Sequence, residues 1–107
     1  MAYEVEIAPL ANKDLEEILD YILRELSNPS DAADLLDGIG SCYSNLEKMP
    51  EMYERCRDTR LKAMGYRRIT VKNYVIIYKV EESIKTVYIM RCFYGGRDYE
   101  KTNLNKF

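Results

Sequence analysis

Arginine and tyrosine side chains alternate through the second half of the sequence in a pattern that suits binding to single-stranded RNA. Tyr66-Arg67-Arg68 and Asn73-Tyr74 come first, Tyr78 follows, and a last group runs from Arg91 to Tyr99. Arginine carries a permanent positive charge and holds a phosphate through two parallel hydrogen bonds. Tyrosine offers a flat ring on which a base can stack. On an exposed sheet, the two residue types together would contact both the backbone and the bases of RNA.

The same residues also have a structural interpretation. Alternate positions of a strand point inward, so three of the tyrosines can pack in the core instead. These three are Tyr74, Tyr78 and Tyr88. Arg68 can equally pair with the acidic helices of the first half. Arg97 and Tyr99 follow the Gly95-Gly96 pair near the chain end, where burial is less expected.

The composition argues against several common kinds of active site. The chain contains no histidine, which removes the commonest general base and the commonest zinc ligand. It has no phosphate-binding loop, no dinucleotide-binding glycine motif and no Gly-x-Ser-x-Gly motif. Its three cysteines, Cys42, Cys56 and Cys92, lack CxxC spacing, which favours free thiols. We therefore expect neither a cofactor nor a metal.

Charge is distributed unevenly along the chain. Residues 1–53 carry 3 basic and 12 acidic side chains, a net of −9, whereas residues 54–107 carry 13 basic and 6 acidic ones, a net of +7. Such asymmetry points to a polyanionic or acidic partner for the basic half. The alternative is that helix surfaces here happen to be acidic and strand surfaces basic.

A strand and two helices are predicted in the first half. Residues 3–7 alternate apolar and polar side chains, as a half-buried strand does. Apolar residues recur at helical spacing from Pro9 to Leu26, and the Ser27-Asn28-Pro29 segment ends this helix and begins another. The second helix ends at Met49-Pro50. The short link between the helices predicts an antiparallel hairpin.

Two glycines interrupt the second helix. Gly38 and Gly40 each cost about 1 kcal/mol relative to alanine in a helix. We therefore expect both to allow close approach of this helix to the first helix or to the sheet.

Three strands are predicted in the second half, after a charged and irregular segment at residues 51–65. They span residues 67–71, 74–80 and 84–92. The middle strand is apolar on both faces, so we expect it to be central. The predicted fold class is α+β, with an N-terminal strand and an antiparallel two-helix hairpin packed on a mostly antiparallel β-meander. A length of 107 residues fits one domain over 1–107.

Nothing in the sequence predicts a membrane partner. No apolar run approaches the roughly 20 residues that cross a bilayer. The first residues show neither the basic region nor the apolar region of a signal peptide. We therefore expect a cytoplasmic location.

Several of these segments carry a family resemblance. They are the strand at 3–7, the first helix with Asp20-Tyr21-Ile22, the end of the second helix at 46–50, Arg68-Ile69, Asn73-Tyr74 with Ile77-Tyr78, and Arg97-Asp98-Tyr99. In this order and spacing they resemble the RelE/ParE superfamily of bacterial toxins from type II toxin–antitoxin systems, often called plasmid stabilisation proteins. The resemblance covers nearly the whole chain. It implies a growth-inhibiting toxin and a cognate antitoxin, encoded nearby, that folds an extended segment over the toxin.

The resemblance leaves two modes of action open. RelE-like members cleave mRNA in the ribosome without a metal, and under that hypothesis Arg68, Arg97 and Tyr99 are the catalytic residues. ParE-like members poison DNA gyrase and lack the catalytic set. Val75 stands where RelE-like nucleases carry an arginine, Gly95 lies near the expected place of another, and the acidic first half departs from nucleases that dock on rRNA. We therefore favour the ParE-like mode, and keep as a third hypothesis a degenerate member that only binds a partner.

The basic second half offers a docking face for an acidic segment of the antitoxin. We predict that four arginines contact the partner in a toxin–antitoxin hetero-oligomer. These are Arg67, Arg68, Arg91 and Arg97.

Overall fold

The computed structural model describes residues 2–95, and within them it shows four strands, three α-helices and one 3₁₀ turn. In chain order these are β1 Glu4–Ile7, α1 Pro9–Arg24, α2 Pro29–Lys48, α3 Thr59–Ala63, β2 Arg67–Val71, β3 Tyr74–Glu81, the 3₁₀ turn Glu82–Ile84, and β4 Thr86–Tyr94. The predicted α+β class, with a helical hairpin on a mostly antiparallel sheet, is confirmed.

The strands form one mixed sheet in the order β1-β4-β3-β2. β3 pairs antiparallel with both β2 and β4, and β1 pairs parallel with β4. The predicted central place of β3 is confirmed. The β3–β4 pairing shifts register between Ile77 and Tyr78, as at a β-bulge.

Local capping explains where the two long helices begin. Pro9 and Pro29 stand in the first turns of α1 and α2, where a missing N–H costs nothing. The Asn28 side chain accepts a hydrogen bond of 3.2 Å from the backbone N–H of Asp31, so its predicted capping role is confirmed. The first helix is shorter than predicted: it ends at Arg24, two residues before the predicted end at Leu26, and Leu26 is exposed. No helix within residues 2–95 is long and apolar enough to cross a membrane.

Both faces of the sheet are covered, each by a separate core. On one face, α1 and α2 pack against strand residues that include Ile69, Ile76 and Tyr78. On the opposite face, Val75 and Ile77 pack with a smaller group. The smaller group consists of Cys56, Leu61, Tyr66 and Phe93. The hydrophobic contribution to stability therefore comes from two layers rather than from the hairpin alone.

The segment expected to be irregular, residues 51–65, contains α3. Asp58 begins this short helix by accepting hydrogen bonds from the backbone N–H groups of Arg60 and Leu61, at 2.9 and 3.2 Å. Leu61 then anchors it against the sheet. The last strand also differs from its prediction, since it starts at Thr86 and runs on to Tyr94.

The three tyrosines that could either bind RNA or pack in the core differ in how far they are buried. Tyr78 is fully buried, and its hydroxyl donates a hydrogen bond of 2.7 Å to the carbonyl oxygen of Pro50. Burial raises the pKa of Tyr78, because the charged form would lose its hydration. Packing in the core is therefore confirmed for Tyr78, whereas Tyr74 and Tyr88 are only partly buried.

The two glycines of α2 differ in their surroundings. A Cβ added to Gly38 would lie 2.7 Å from Cγ1 of Val71 on β2, so the expected close approach to the sheet is confirmed there. A Cβ added to Gly40 would meet nothing within 4 Å, so the same prediction is wrong for Gly40.

The variants Gly38→Ala and Gly40→Ala test this difference. We expect Gly38→Ala to lower the free energy of unfolding by about 1 kcal/mol or more, because overpacking against the stiff Val71 side chain outweighs the gain in helix propensity. We expect Gly40→Ala to raise it by up to about 1 kcal/mol. Urea denaturation of both variants measures the two effects, and stabilisation by both would show that α2 does not approach β2 this closely.

Candidate partner-binding site

Arg67 is held by the segment that follows α2. Its guanidinium donates a hydrogen bond of 2.7 Å to the carbonyl oxygen of Tyr53 and lies 3.4 Å from a carboxylate oxygen of Glu51. Its side chain is only 14% exposed. Arg67 pairs with Tyr78 across β2 and β3, so its guanidinium ties the start of the segment after α2 to the hairpin face of the sheet.

Arg68 is equally covered. Its side chain is 14% exposed, and its Nη1 lies 3.7 Å from Oε1 of Glu54. Its backbone N–H also donates to the carbonyl oxygen of Glu54 at 3.0 Å. The suggested structural role of Arg68 is thus visible here, although its acidic partner follows the helices instead of lying on one.

Arg91 forms the strongest ion pair by geometry. Its Nε and Nη2 donate to the two carboxylate oxygens of Asp14 on α1, at 2.7 and 3.0 Å. The same carboxylate accepts the backbone N–H of Cys92 at 3.0 Å, and each side chain of the pair is 14% exposed. The pairing of β4 with β1 stops at Ile89, and beyond that point Asp14 accepts the backbone N–H that β1 no longer reaches.

The sheet register relates Arg68 to Arg91. Arg68 pairs with Ile77, and Ile77 pairs in turn with Arg91, so the three residues form one row across β2, β3 and β4. Strand spacing places the two arginine backbones about 10 Å apart. The buried Ile77 side chain lies between them. Arg97 and Tyr99 lie outside the described residues, so their place relative to this row is a prediction only.

The role of these arginines in partner binding stays a prediction. In the isolated chain, the contacts of Arg67, Arg68 and Arg91 are internal. The exposed cations of the second half include a different set, on the segment that carries α3. These are Arg55, Arg57, Arg60 and Lys62. The sequence indicated this segment only by its high charge.

A surface cavity of about 700 Å³ lies where α1 and the start of α2 meet the start of β3 and the end of β4. We call it the hairpin cleft. Its lining includes Ile18, Ile22, Leu35 and the rings of Tyr21, Tyr74 and Tyr94, with Glu17, Asp31 and Lys72 as charged members.

The exposed tyrosine rings of the hairpin cleft suit an apolar protein segment. Tyr21 and Tyr94 are more than half exposed, and Tyr94 packs edge to face on Tyr74 with ring centroids 5.9 Å apart. Such rings supply contact area at a small entropic cost. Sequence reasoning missed Tyr21 as a surface residue, although it falls outside the apolar stripe that predicted α1. The cleft can therefore bind apolar side chains next to a mostly acidic rim.

Cys92 lines the hairpin cleft without being a nucleophile. Burial, together with the nearby Asp14 carboxylate, raises the pKa of the Cys92 thiol to about 12. The thiol is therefore protonated at neutral pH, and a protonated thiol is a poor nucleophile. This geometry supports binding at the cleft rather than covalent chemistry.

Comparison with known proteins now assigns the chain to a family. Residues 5–99 match the model of the "ParE toxin of type II toxin-antitoxin system, parDE". No curated protein sequence gives a significant match.

Solved structures of similar fold come from toxin–antitoxin systems. One is the chromosomal ParDE system from P. aeruginosa, with 19% identity and a TM-score of 0.68 over 87% of this chain and 96% of that one. Another is a double arginine-to-alanine mutant of E. coli toxin RelE in the free state, with 13% identity and a TM-score of 0.67 over 99% and 97%. A third is the RelBE2 complex from Mycobacterium tuberculosis, with 18% identity and a TM-score of 0.58 over 88% and 99%. At these identities the likeness shows a shared fold.

The variants Asp14→Asn and Asp20→Asn test the contact that closes the edge of β4. We expect Asp14→Asn to lower the free energy of unfolding by about 2–4 kcal/mol, because it leaves the mostly buried Arg91 charge without its counter-ion. Asp20 forms an ion pair of 2.8 Å with Arg24 on the open face of α1, where both side chains are well exposed. Asp20→Asn should cost no more than about 0.5 kcal/mol.

Urea titration of both variants provides the measurement. Equal and small losses would mean that Asp14 and Arg91 do not hold the sheet edge.

Proposed function

The chain belongs to the ParE toxin family of type II toxin–antitoxin systems, and from this premise we propose that it inhibits growth in the cytoplasm without cleaving RNA, by acting on DNA gyrase. A cognate antitoxin neutralises it. The RelE-like alternative is a metal-independent endoribonuclease that acts on ribosome-bound mRNA.

The observation that carries the proposal is the burial of position 75. Val75 is 3% exposed and packs in the second core with Leu61 and Phe93. An arginine at this position, as the resemblance to RelE-like nucleases requires, would bury a charge beneath α3. Losing one charge-stabilising group typically costs a hundredfold or more in rate. The covered face therefore supports a mode of action that needs no catalytic row on the sheet.

The surroundings of Arg68 support the same proposal. A catalytic arginine has to reach the phosphate on which charge develops. Arg68 instead lies against Glu54 and is mostly covered by the segment before β2. Under the proposed function, this side chain holds the covering layer in place.

The fold is equally compatible with the endoribonuclease alternative. The free E. coli RelE mutant matches 99% of this chain with a TM-score of 0.67, about the same as the ParDE structure. Backbone similarity therefore does not separate the two modes of action, and Arg97 and Tyr99 stay candidates for catalysis under this alternative.

The hairpin cleft is the proposed docking site of the antitoxin. Similar chains occur in toxin–antitoxin complexes, including the archaeal RelE–RelB complex from Pyrococcus horikoshii OT3, at 21% identity and a TM-score of 0.59. The exposed rings of Tyr21 and Tyr94 supply the aromatic anchors that dominate many interfaces. An antitoxin segment that inserts apolar side chains there would fold as it binds.

Two assays on the wild-type chain separate the proposed target from the alternative. We expect purified protein at micromolar concentration to inhibit DNA supercoiling by gyrase and to accumulate gyrase–DNA cleavage complexes. Primer extension on mRNA from expressing cells should show no new codon-dependent cuts. Cuts in mRNA with unaffected gyrase would establish the endoribonuclease, and normal growth of expressing cells would favour the degenerate binding protein.

The variants Arg68→Ala and Glu54→Gln test what Arg68 does. Both break the same ion pair, but only the first removes the cation. If Arg68 is structural, both variants should stay toxic. Arg68→Ala should lose about 1–2 kcal/mol of stability because its side chain is mostly buried, and Glu54→Gln less than about 1 kcal/mol because Glu54 is mostly exposed. Abolished toxicity in Arg68→Ala alone, with the variant still folded at the assay temperature, would contradict a purely structural role for Arg68.

A further inference from the structure

We infer that the segment carrying α3 binds the sugar–phosphate backbone of nucleic acid. Four of its side chains form what we call the cationic ledge. They are Arg55, Arg57, Arg60 and Lys62. This inference goes beyond the proposed function, because an inhibitor of gyrase need not itself contact DNA.

The cationic ledge is fixed to the sheet by side chains that alternate with its cations. Cys56 and Leu61 are each 1% exposed and belong to the second core. The backbone N–H of Cys56 donates to the carbonyl oxygen of Tyr66 at 3.0 Å, and Asp58 caps α3. The cations flank these anchors on both sides, so the backbone that displays them is already ordered. A ligand would therefore pay little entropy to order the ledge.

The carboxylates on the same segment are already engaged. Asp58 accepts the backbone N–H groups of Arg60 and Leu61. Glu54 lies 3.8 Å from Arg57 and 3.7 Å from Arg68. The contact between Glu54 and Arg57 is long and both side chains are well exposed, so a phosphate can displace the Glu54 carboxylate from Arg57. The ledge as a whole presents more positive than negative charge.

The acidic surface of the molecule lies on the opposite side of the sheet. Residues 9–48, which include α1 and α2, carry nine acidic and three basic side chains. Ile76 and Tyr78 face these helices, whereas Val75 and Ile77 face the layer that carries the ledge. A polyanion is thus repelled by one face and attracted by the other, which orients the molecule on it.

The chemistry of the ledge fits phosphates better than an acidic protein segment. Three of its four cations are arginines, which bind phosphate in a bidentate manner. A peptide would also need a groove for its apolar side chains. The hairpin cleft, which can receive such side chains, is lined by none of the four ledge residues. Contacts to phosphates carry no sequence information, so we expect binding with little sequence preference.

Fluorescence anisotropy with labelled duplexes of about 20 base pairs tests the inference. We expect the full chain to bind duplex DNA, and affinity to fall about 100-fold between ~50 and ~200 mM salt if all four cations contact phosphates. The variant Arg55→Gln/Arg57→Gln/Arg60→Gln/Lys62→Gln should bind at least about 10-fold more weakly. The control Lys13→Gln/Arg24→Gln/Lys48→Gln/Lys85→Gln removes the same charge elsewhere and should change affinity far less.

Further anisotropy measurements complete the test. Duplex RNA, measured in parallel with duplex DNA, shows which nucleic acid supplies the phosphates, and binding of either supports the inference. Equal losses in both variants, absence of binding at low salt, or binding of polyglutamate in place of both duplexes would overturn it. Urea denaturation confirms that the ledge variant is folded. Gyrase inhibition by that variant reports on the proposed function separately, since either result there leaves the anisotropy result unchanged.

Discussion

Burial of both faces of β3 is the constraint on which the rest of the structure depends. The strand alternates between two cores, with Ile76 and Tyr78 toward the helical hairpin and Val75 and Ile77 toward the segment before β2. A central strand that is apolar on both sides cannot leave either face in water without losing the hydrophobic free energy of several side chains. The later part of the 51–65 segment, which carries Cys56 and Leu61, is therefore a structural layer, and every arginine of β2 and β4 must be accommodated at the margin of a covered sheet.

This constraint divides the cations of the second half into two kinds. The first kind lies at the margins of the two layers, where the side chains contact carboxylates or carbonyl oxygens. It comprises Arg67, Arg68 and Arg91. Arg55 and Arg60 lie on the outer side of the covering segment. A count of charge per half of the chain adds the two kinds together. The excess of +7 in the sequence is therefore partly internal, and what a partner meets depends on which cations the layers leave exposed.

The sequence predicted the parts of the fold that rest on periodicity and capping. Two helices of 16 and 20 residues and strands of up to nine residues give enough positions for an apolar pattern to show. A helix of five residues, such as α3, does not, and the buried anchors of the segment that carries it, Cys56 and Leu61, are five positions apart. The bond from Arg91 to Asp14 joins residues 77 apart, so only the assembled sheet reveals it. The hairpin cleft escaped prediction for the same reason, because four separate elements, α1, α2, β3 and β4, form it.

Position 75 links the stability of the fold to its mode of action. Covering the second face of β3 requires an apolar side chain there, since a charge buried beneath Leu61 would lose its hydration without a counter-ion. A nuclease of the resembled kind requires an arginine at the same place and an open face through which RNA can approach it. The two requirements exclude each other on one strand. Under the proposed function, Val75 and the layer above it therefore act together. The face of the sheet that would cleave RNA is part of the core, and partners bind at the hairpin cleft and on the outer side of this layer.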